Sequence, residues 1–420
     1  MMKRATRVQF DAPPARGVFA SARAVTRCFV RTHAVLVVSA VAALATVPFV
    51  PPDAAYLGYF DLKTLACLFS ILALVGALRN VGAFEAVARR AVARFSTCRS
   101  AVAALVAATL VVSMAATNDM ALIMLLPLSA ATLLKAGWER ALPFAFIMQN
   151  LAANLGGMIL PFGNPQNLYL FERFAIPPAD FLATMALPFA VSVLLIAVCC
   201  AVFVKPLPAR IPSAPVEADN ASTPAVPAAP AHSYRRARAA LYTALLALVI
   251  ASVFRLVPYP IALVAVIAAL ALLDRPALRA TDFGLLLTFA CFFVFSGNMA
   301  RIPAVEAVLS QAMRQSALLI SVGASQIISN VPAAVLLSHF ATDYHALLVG
   351  VNIGGAGTLV ASLASLITLN HFRIVRASFP GRPELARQTS RTFLAQFTLY
   401  NGAFLVILLV VCFAFSGGGA

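Results

Sequence analysis

The chain has 420 residues, of which 62% are hydrophobic and 11% charged, with a mean hydropathy of +0.91. No water-soluble globular domain has that balance, so the bilayer is the main solvent and an all-α polytopic bundle is the expected class. The formal charge of +16 does not signal nucleic acid, because the basic residues are spread through the loops between apolar stretches, where positive-inside placement accounts for them.

Residues 1–33 carry basic side chains from Lys3 to Arg31 against one acid, Asp11, and read as a cytoplasmic tail rather than a transit peptide. Spans are expected at 34–50, 62–82, 142–171, 179–204, 238–256, 258–273, 282–300, 344–369 and 393–415. At about 1.5 Å per residue each crosses all or most of a hydrocarbon core about 30 Å thick. Two further apolar stretches, 101–136 and 316–341, are interrupted near their middles by Thr117-Asn118-Asp119 and by Ser329-Asn330-Val331-Pro332. Read as re-entrant hairpins, they return to the side they entered from. With a cytoplasmic N-terminus the outside loops then hold only Arg173, Arg255, Arg301 and Arg314, with Lys63 left at a boundary. Counting either hairpin as a full crossing inverts everything after it and removes that asymmetry.

Residues 205–237 are rich in Pro and Ala and read as a cytoplasmic linker between a first membrane repeat, 34–204, and a second, 238–415. Residues 416–420 form a short tail on the periplasmic side. The halves resemble each other: Asp61 opens a span that reaches Gly76, and Asp282 opens one that reaches Gly297. The long broken spans align without a gap, Asn154-Leu155-Gly156-Gly157 against Asn352-Ile353-Gly354-Gly355. Because the second half starts from the opposite face, this is an inverted repeat.

Polar groups at membrane depth must face protein or a water-filled cavity, since each unsatisfied one costs several kcal/mol in hydrocarbon. On that ground Thr117, Asn118 and Asp119 at one hairpin tip, and Ser329 and Asn330 at the other, are candidate binding residues, although asparagines there could serve only to cap half-helices. Pro161-Phe162-Gly163-Asn164-Pro165-Gln166-Asn167 unwinds the first broken span; Gly354-Gly355-Ala356-Gly357-Thr358 unwinds the second. Unwound carbonyls coordinate cations, and half-helix N-termini favour anions. Substrate candidates are therefore Thr117, Asn118, Asp119, Asn164, Pro165, Asn167, Ser329, Asn330, Thr358 and Ser362. Candidates for Na⁺ are Asn118, Gly163, Asn330 and Gly357, and Asp119 is the candidate for proton coupling.

These motifs resemble the ion transporter superfamily with citrate-transporter-like domains, which includes divalent anion:sodium symporters, arsenite permeases and a group of Na⁺/H⁺ antiporters. The resemblance runs over roughly residues 34–415. It implies an integral protein of the bacterial inner membrane that moves a small anion or oxyanion of the di- or tricarboxylate, sulfate or arsenite class, coupled to Na⁺ or H⁺. It also implies an elevator movement and a homodimer, with no cofactor beyond the coupling ion. In the symporter branch the tips read Ser-Asn-Thr; here they read Thr-Asn-Asp and Ser-Asn-Val, so the asparagines carry over and both third positions depart. Asp119 puts a negative charge where a carboxylate substrate would sit, which fits cation binding, proton coupling or a neutral oxyacid.

Competing readings are a Na⁺/H⁺ antiporter, a channel and a membrane enzyme. The last lacks HExxH, GxSxG and a pair of membrane-depth aspartates. The cysteines, Cys67 and Cys412 among them, sit mostly inside apolar spans without a CxxC and read as small hydrophobes. His339, Asp343 and His345 read as loop residues near the outer surface, 373–391 as a basic interfacial arm, and Trp138 as a membrane-interface anchor.

Overall fold

The computed structural model describes residues 34–83, 96–208 and 232–416. The expected N-terminal tail, most of the linker, the 84–95 stretch and the last four residues lie outside them. Described secondary structure is helical, with one isolated bridge between Thr97 and Pro208. The helices are α1 Ala34–Thr46, α2 Leu62–Asn80, α3 Cys98–Ala115, α4 Asn118–Lys135, α5 Leu142–Gly156, α6 Pro165–Arg173, α7 Pro178–Phe203, α8 His232–Val253, α9 Tyr259–Leu273, α10 Arg275–Arg279, α11 Phe283–Ala300, α12 Pro303–Ile328, α13 Asn330–Leu337, α14 Tyr344–Ile353, α15 Leu363–Ser378, α16 Pro383–Ala386 and α17 Ser390–Ser416. Among the described residues eight helical segments are long and apolar enough to cross a bilayer. Their outer faces expose Val111, Leu194, Val202, Leu287 and Val406, the apolar surface expected where lipid is the neighbour. The protein is an integral membrane protein.

Helix limits follow local chemistry. Asp61 and Asp282 do the same work at the start of α2 and α11: the Oδ1 of each accepts a backbone N–H three residues on, from Thr64 and from Leu285, at 2.9 Å. Thr97 caps α3 in a reciprocal pair with Ser100. The first helix is shorter than the expected span 34–50; it stops at Thr46, just before Pro48, Pro51 and Pro52. The span expected at 238–256 begins earlier, at His232, right after the last linker proline, Pro230. α12 kinks at Ser316, whose Oγ accepts the Leu319 N–H at 3.3 Å, so the apolar arm begins where the sequence placed it.

Packing separates two groups of helices. In one, α2 lies against α8 and α9, and α1 against α11. Buried Asn298 of α11 donates to Thr46 of α1 at 2.9 Å. In the other, α3, α4 and α5 pack together with α7 and α15, while α12, α13 and α14 form a second trio. The groups meet where α6 and α13 lie against α2 and α11. One end of that seam is ionic: Glu172, at the end of α6, takes Lys63 of α2 at 2.6 Å and Arg255 at 3.7 Å. The Arg255 guanidinium also donates to the carbonyls of Phe171, Ala175 and Ile176, which satisfies the C-terminus of α6.

Within the second group the broken helices approach α3 and α12 too closely for a side chain. A Cβ on Gly156 would stand 2.5 Å from Ser113 Oγ of α3, and one on Gly354 would stand 2.8 Å from Ser325 Oγ of α12. The turn after α4 and the segment holding α16 are clasped together. Arg140 makes a two-point pair with Glu384 at 2.7 and 2.8 Å, Arg382 pairs with Glu139 and donates to the Leu134 carbonyl at 2.8 Å, and Gln388 donates to the Glu139 carbonyl at 3.0 Å. Trp138, expected at the lipid interface, is instead 6% exposed, and its Nε1–H donates to the Pro208 carbonyl at 3.1 Å. In the arm expected at 373–391, Arg382, Glu384 and Gln388 bond to the turn after α4, while Ile374 and Phe379 stay exposed. Asp343 caps α14 by accepting the N–H groups of His345 and Ala346, the loop role read from the sequence.

Gly76 and Gly297, aligned in the sequence, differ in packing. A Cβ at Gly76 meets nothing within 4 Å, whereas one at Gly297 would press into the Tyr59 ring at 2.5 Å. Gly297→Ala is expected to cost about 1–3 kcal/mol of overpacking and Gly76→Ala close to none, a contrast that paired thermal melts of the detergent-purified variants measure.

Candidate functional site

The interrupted stretches break where the sequence breaks them. α3 ends at Ala115 and α4 begins at Asn118; α12 ends at Ile328 and α13 begins at Asn330. Ser329 takes φ +77°, a conformation costly for a residue with a Cβ. It is held there by its Oγ, which donates to the Ala361 carbonyl at 3.2 Å, and by the neighbouring Asn330 N–H, which donates to the same oxygen at 3.0 Å. At the first tip Asn118 Oδ1 accepts the Asp119 N–H at 3.0 Å.

Asn154, on the last turn of α5, joins the pieces. Its Oδ1 accepts Asn118 Nδ2 of the first tip at 3.0 Å and Ser362 Oγ, just before α15, at 2.7 Å. The same oxygen lies 3.9 Å from where a Cβ would sit on Gly355, and Asn330 Nδ2 of the second tip lies 3.0 Å from that point. Asn164 Nδ2 reaches the Asn154 carbonyl at 3.5 Å. Thus Asn118, Asn164, Asn330 and Ser362 cluster around one amide and the backbone of one glycine. Three of the atoms around them are buried without a partner among the described residues: Asn154 Nδ2, Asn164 Oδ1 and Asp119 Oδ1.

Other expected residues do different work. Pro165 opens α6 at its first turn, where its missing N–H costs nothing. Gly163 lets the chain fold back on itself, since a Cβ there would collide with the Gly157 carbonyl oxygen at 2.2 Å. Asn167, fully buried, donates its amide to the carbonyls of Gly157, Met158 and Leu160 at 3.4, 3.0 and 3.3 Å. Thr358 is exposed, with its hydroxyl on the Gln326 carbonyl at 3.0 Å and its N–H on Gln326 Oε1 at 2.8 Å. Gly357 takes φ +114°, and a Cβ there would lie 2.3 Å from Gln326 Oε1.

Residues the sequence reading left out are prominent. Asn352, the aligned mate of Asn154, donates to Asn167 Oδ1 at 2.6 Å and accepts Gln166 Nε2 at 3.4 Å, so the two broken spans are bonded to each other. A second polar layer lies one turn from Asn154, where Asn150 donates to Asn401 of α17 and accepts from Thr368 of α15, both at 3.3 Å. The spacing of Asn150 and Asn154 puts both on one helix face, the signal that could have found them. An arginine also approaches the first tip: Arg79, at the end of α2, has a guanidinium nitrogen 4.0 Å from the sulfur of Met120.

Removing the Asn154 side chain leaves the Asn118 amide and the Ser362 hydroxyl with one partner fewer in a buried place. Asn154→Ala is expected to lower stability by about 1–3 kcal/mol, and Ser362→Ala to cost less on that background than in the wild type. A double-mutant cycle on thermal unfolding reads the coupling, expected at about 0.5 kcal/mol or more.

Comparison with known proteins bears on this arrangement. Residues 22–364 match the family described as CitMHS, citrate transporter. The chain is 31% identical over 330 residues to the inner membrane protein YbiR of Escherichia coli, which covers 77% of this chain and 82% of that one. It is 29% identical over 312 residues to the uncharacterized transporter MJ0456 of Methanocaldococcus jannaschii, covering 73% and 80% respectively.

Proposed function

The chain belongs to the citrate transporter family, and from that premise we propose that this membrane transporter is a secondary active carrier of a small anion or oxyanion, driven by Na⁺ or H⁺. One observation carries the reading: both interrupted stretches and both broken spans come together at Asn154 and Gly355. Helices α4, α6 and α13 all begin beside this cluster, and N-terminal N–H groups favour negative charge. Orphaned amide and carboxylate atoms supply directional contacts of both signs. The anion class is di- or tricarboxylate, sulfate or arsenite.

In this reading the two interrupted stretches are re-entrant hairpins and the halves an inverted repeat. The repeated caps at Asp61 and Asp282, and the repeated Ser–Gly contacts at Gly156 and Gly354, support it. Alternating access follows if α3–α7 with α12–α15 and α17 slide as one body along the group formed by α1, α2, α8, α9 and α11. The seam at α6 and α13 is where they slide. The membrane in this reading is a bacterial inner membrane, which agrees with the printed name of the E. coli relative, and the N-terminus lies in the cytoplasm and the C-terminus in the periplasm.

Asp119 favours a second reading. Its buried Oδ1 lacks a partner among the described residues, and a lone membrane-depth carboxylate beside the tip suits proton exchange. A Na⁺/H⁺ antiporter uses such a group without any organic substrate.

Counterflow of labelled citrate, succinate, sulfate and arsenite in proteoliposomes, run beside Na⁺-driven proton movement, separates the readings. Failure of every anion alongside Na⁺-dependent proton flux removes the first. Asn118→Ala and Asn330→Ala are each expected to slow transport about tenfold or more while leaving membrane insertion intact. Wild-type rates in both variants contradict the shared site.

A further inference from the structure

Unwinding a helix in hydrocarbon frees carbonyl oxygens that must find a partner. In transporters built on broken helices such oxygens coordinate cations, which made Gly163 and Gly357 candidates for Na⁺. Five of the oxygens in this chain already accept a side-chain amide.

In the first segment the amide nitrogen of Asn167 sits among three of them, on Gly157, Met158 and Leu160. The side chain is fully buried and its own oxygen is pinned by Asn352 at 2.6 Å, so the amide is not free to swing away. In the second segment Gln326 Nε2 donates to Gly354 at 2.7 Å and Ala356 at 3.1 Å, with a longer bond to Val322 in its own helix at 3.4 Å. Its Oε1 meanwhile accepts the Thr358 N–H at 2.8 Å, and Gly357 makes room for it.

The two amides do not come from matching places. In the alignment that pairs Asn154 with Asn352, the position matching Asn167 is Ser365; Gln326 lies three residues before Ser329, where the first hairpin has Met114 before Thr117. Each half therefore reaches the same end by its own route: a side-chain N–H₂ aimed at freed carbonyls. A hard cation is held by oxygen lone pairs. An amide nitrogen puts a partial positive charge beside those oxygens and brings no lone pair of its own, so these five carbonyls are poor ligands for Na⁺.

We propose that Asn167 and Gln326 are built-in substitutes for cations, and that they make the two unwound segments independent of Na⁺. As a statement about the coupling ion the proposal rests on the transporter reading; as a statement about the segments it stands on the hydrogen bonds alone.

The test is a thermal melt of the full chain, purified in detergent, in matched NaCl and KCl. The wild type is expected to melt at one temperature in both salts. Gln326→Glu replaces the donor with an acceptor beside the Gly354 and Ala356 carbonyls, and is expected to gain a Na⁺-specific rise of about 2 °C or more. Asn167→Asp makes the same test at the other segment if the first variant does not fold. A saturable Na⁺-specific rise in the wild type overturns the proposal, as does a folded Gln326→Glu or Asn167→Asp that melts alike in both salts. Na⁺-stimulated anion counterflow by the wild type overturns it for the coupling ion. Absence of all anion counterflow, with equal melts, sinks the carrier reading and leaves the amide assignment standing.

Discussion

Every backbone N–H and C=O inside hydrocarbon has to be bonded within the protein, and the rest of this structure follows from how that demand is met where helices stop. α5 and α14 end at paired glycines, deep among other helices. Five of the oxygens released there are taken by amide side chains, and at the second tip the Ala361 carbonyl takes the Asn330 N–H. An irregular backbone at this depth is tolerated only because asparagine and glutamine carry both donor and acceptor on one short arm.

That requirement also sets the spacing of the helices. For an asparagine on α5 to reach a hairpin tip and the start of α15 together, the elements must lie nearly in backbone contact, and Gly156 and Gly354 permit it where Ser113 and Ser325 cross. Bulky apolar side chains then gather away from the polar centre, toward lipid, in the stack of Phe372 on Phe393 between α15 and α17, and at the seam of α2 and α11. There Tyr169 packs on Phe293 while its hydroxyl meets Ser338 at 2.8 Å. A polar centre, a small-residue shell and an apolar rim are thus one solution rather than three.

Much of this was legible in the sequence because the breaks are written in residues that forbid or end helix. Pro161 to Pro165, the glycines from Gly354 to Gly357, and the asparagines at both tips announced where the helices stop, and Asp61 and Asp282 announced two starts. The partners were not legible. Gln326 looks like any polar residue on an arm of a hairpin, and only its distance to Gly354, 28 positions away in the chain, gives it a task. Thr358 drew attention for its place in the unwound segment, yet it faces Gln326 and the surface rather than Asn154. Trp138 carried the composition signal of an interface anchor, and a loop 70 residues on buried it instead. Periodicity and breakers are local, while hydrogen-bond assignment is decided by tertiary contact.

The clasp formed by Arg140, Glu384, Arg382 and Glu139 lies at the opposite end of α4 and α15 from the polar centre. It ties the turn that closes the first interrupted stretch to the segment that follows α15, and so fastens one element from each half of the sequence. A shear of either element against the other has to break a two-point guanidinium pair first. The joint is thus a rivet between two leaves, holding the far ends of α4 and α15 together at the opposite end from Asn154.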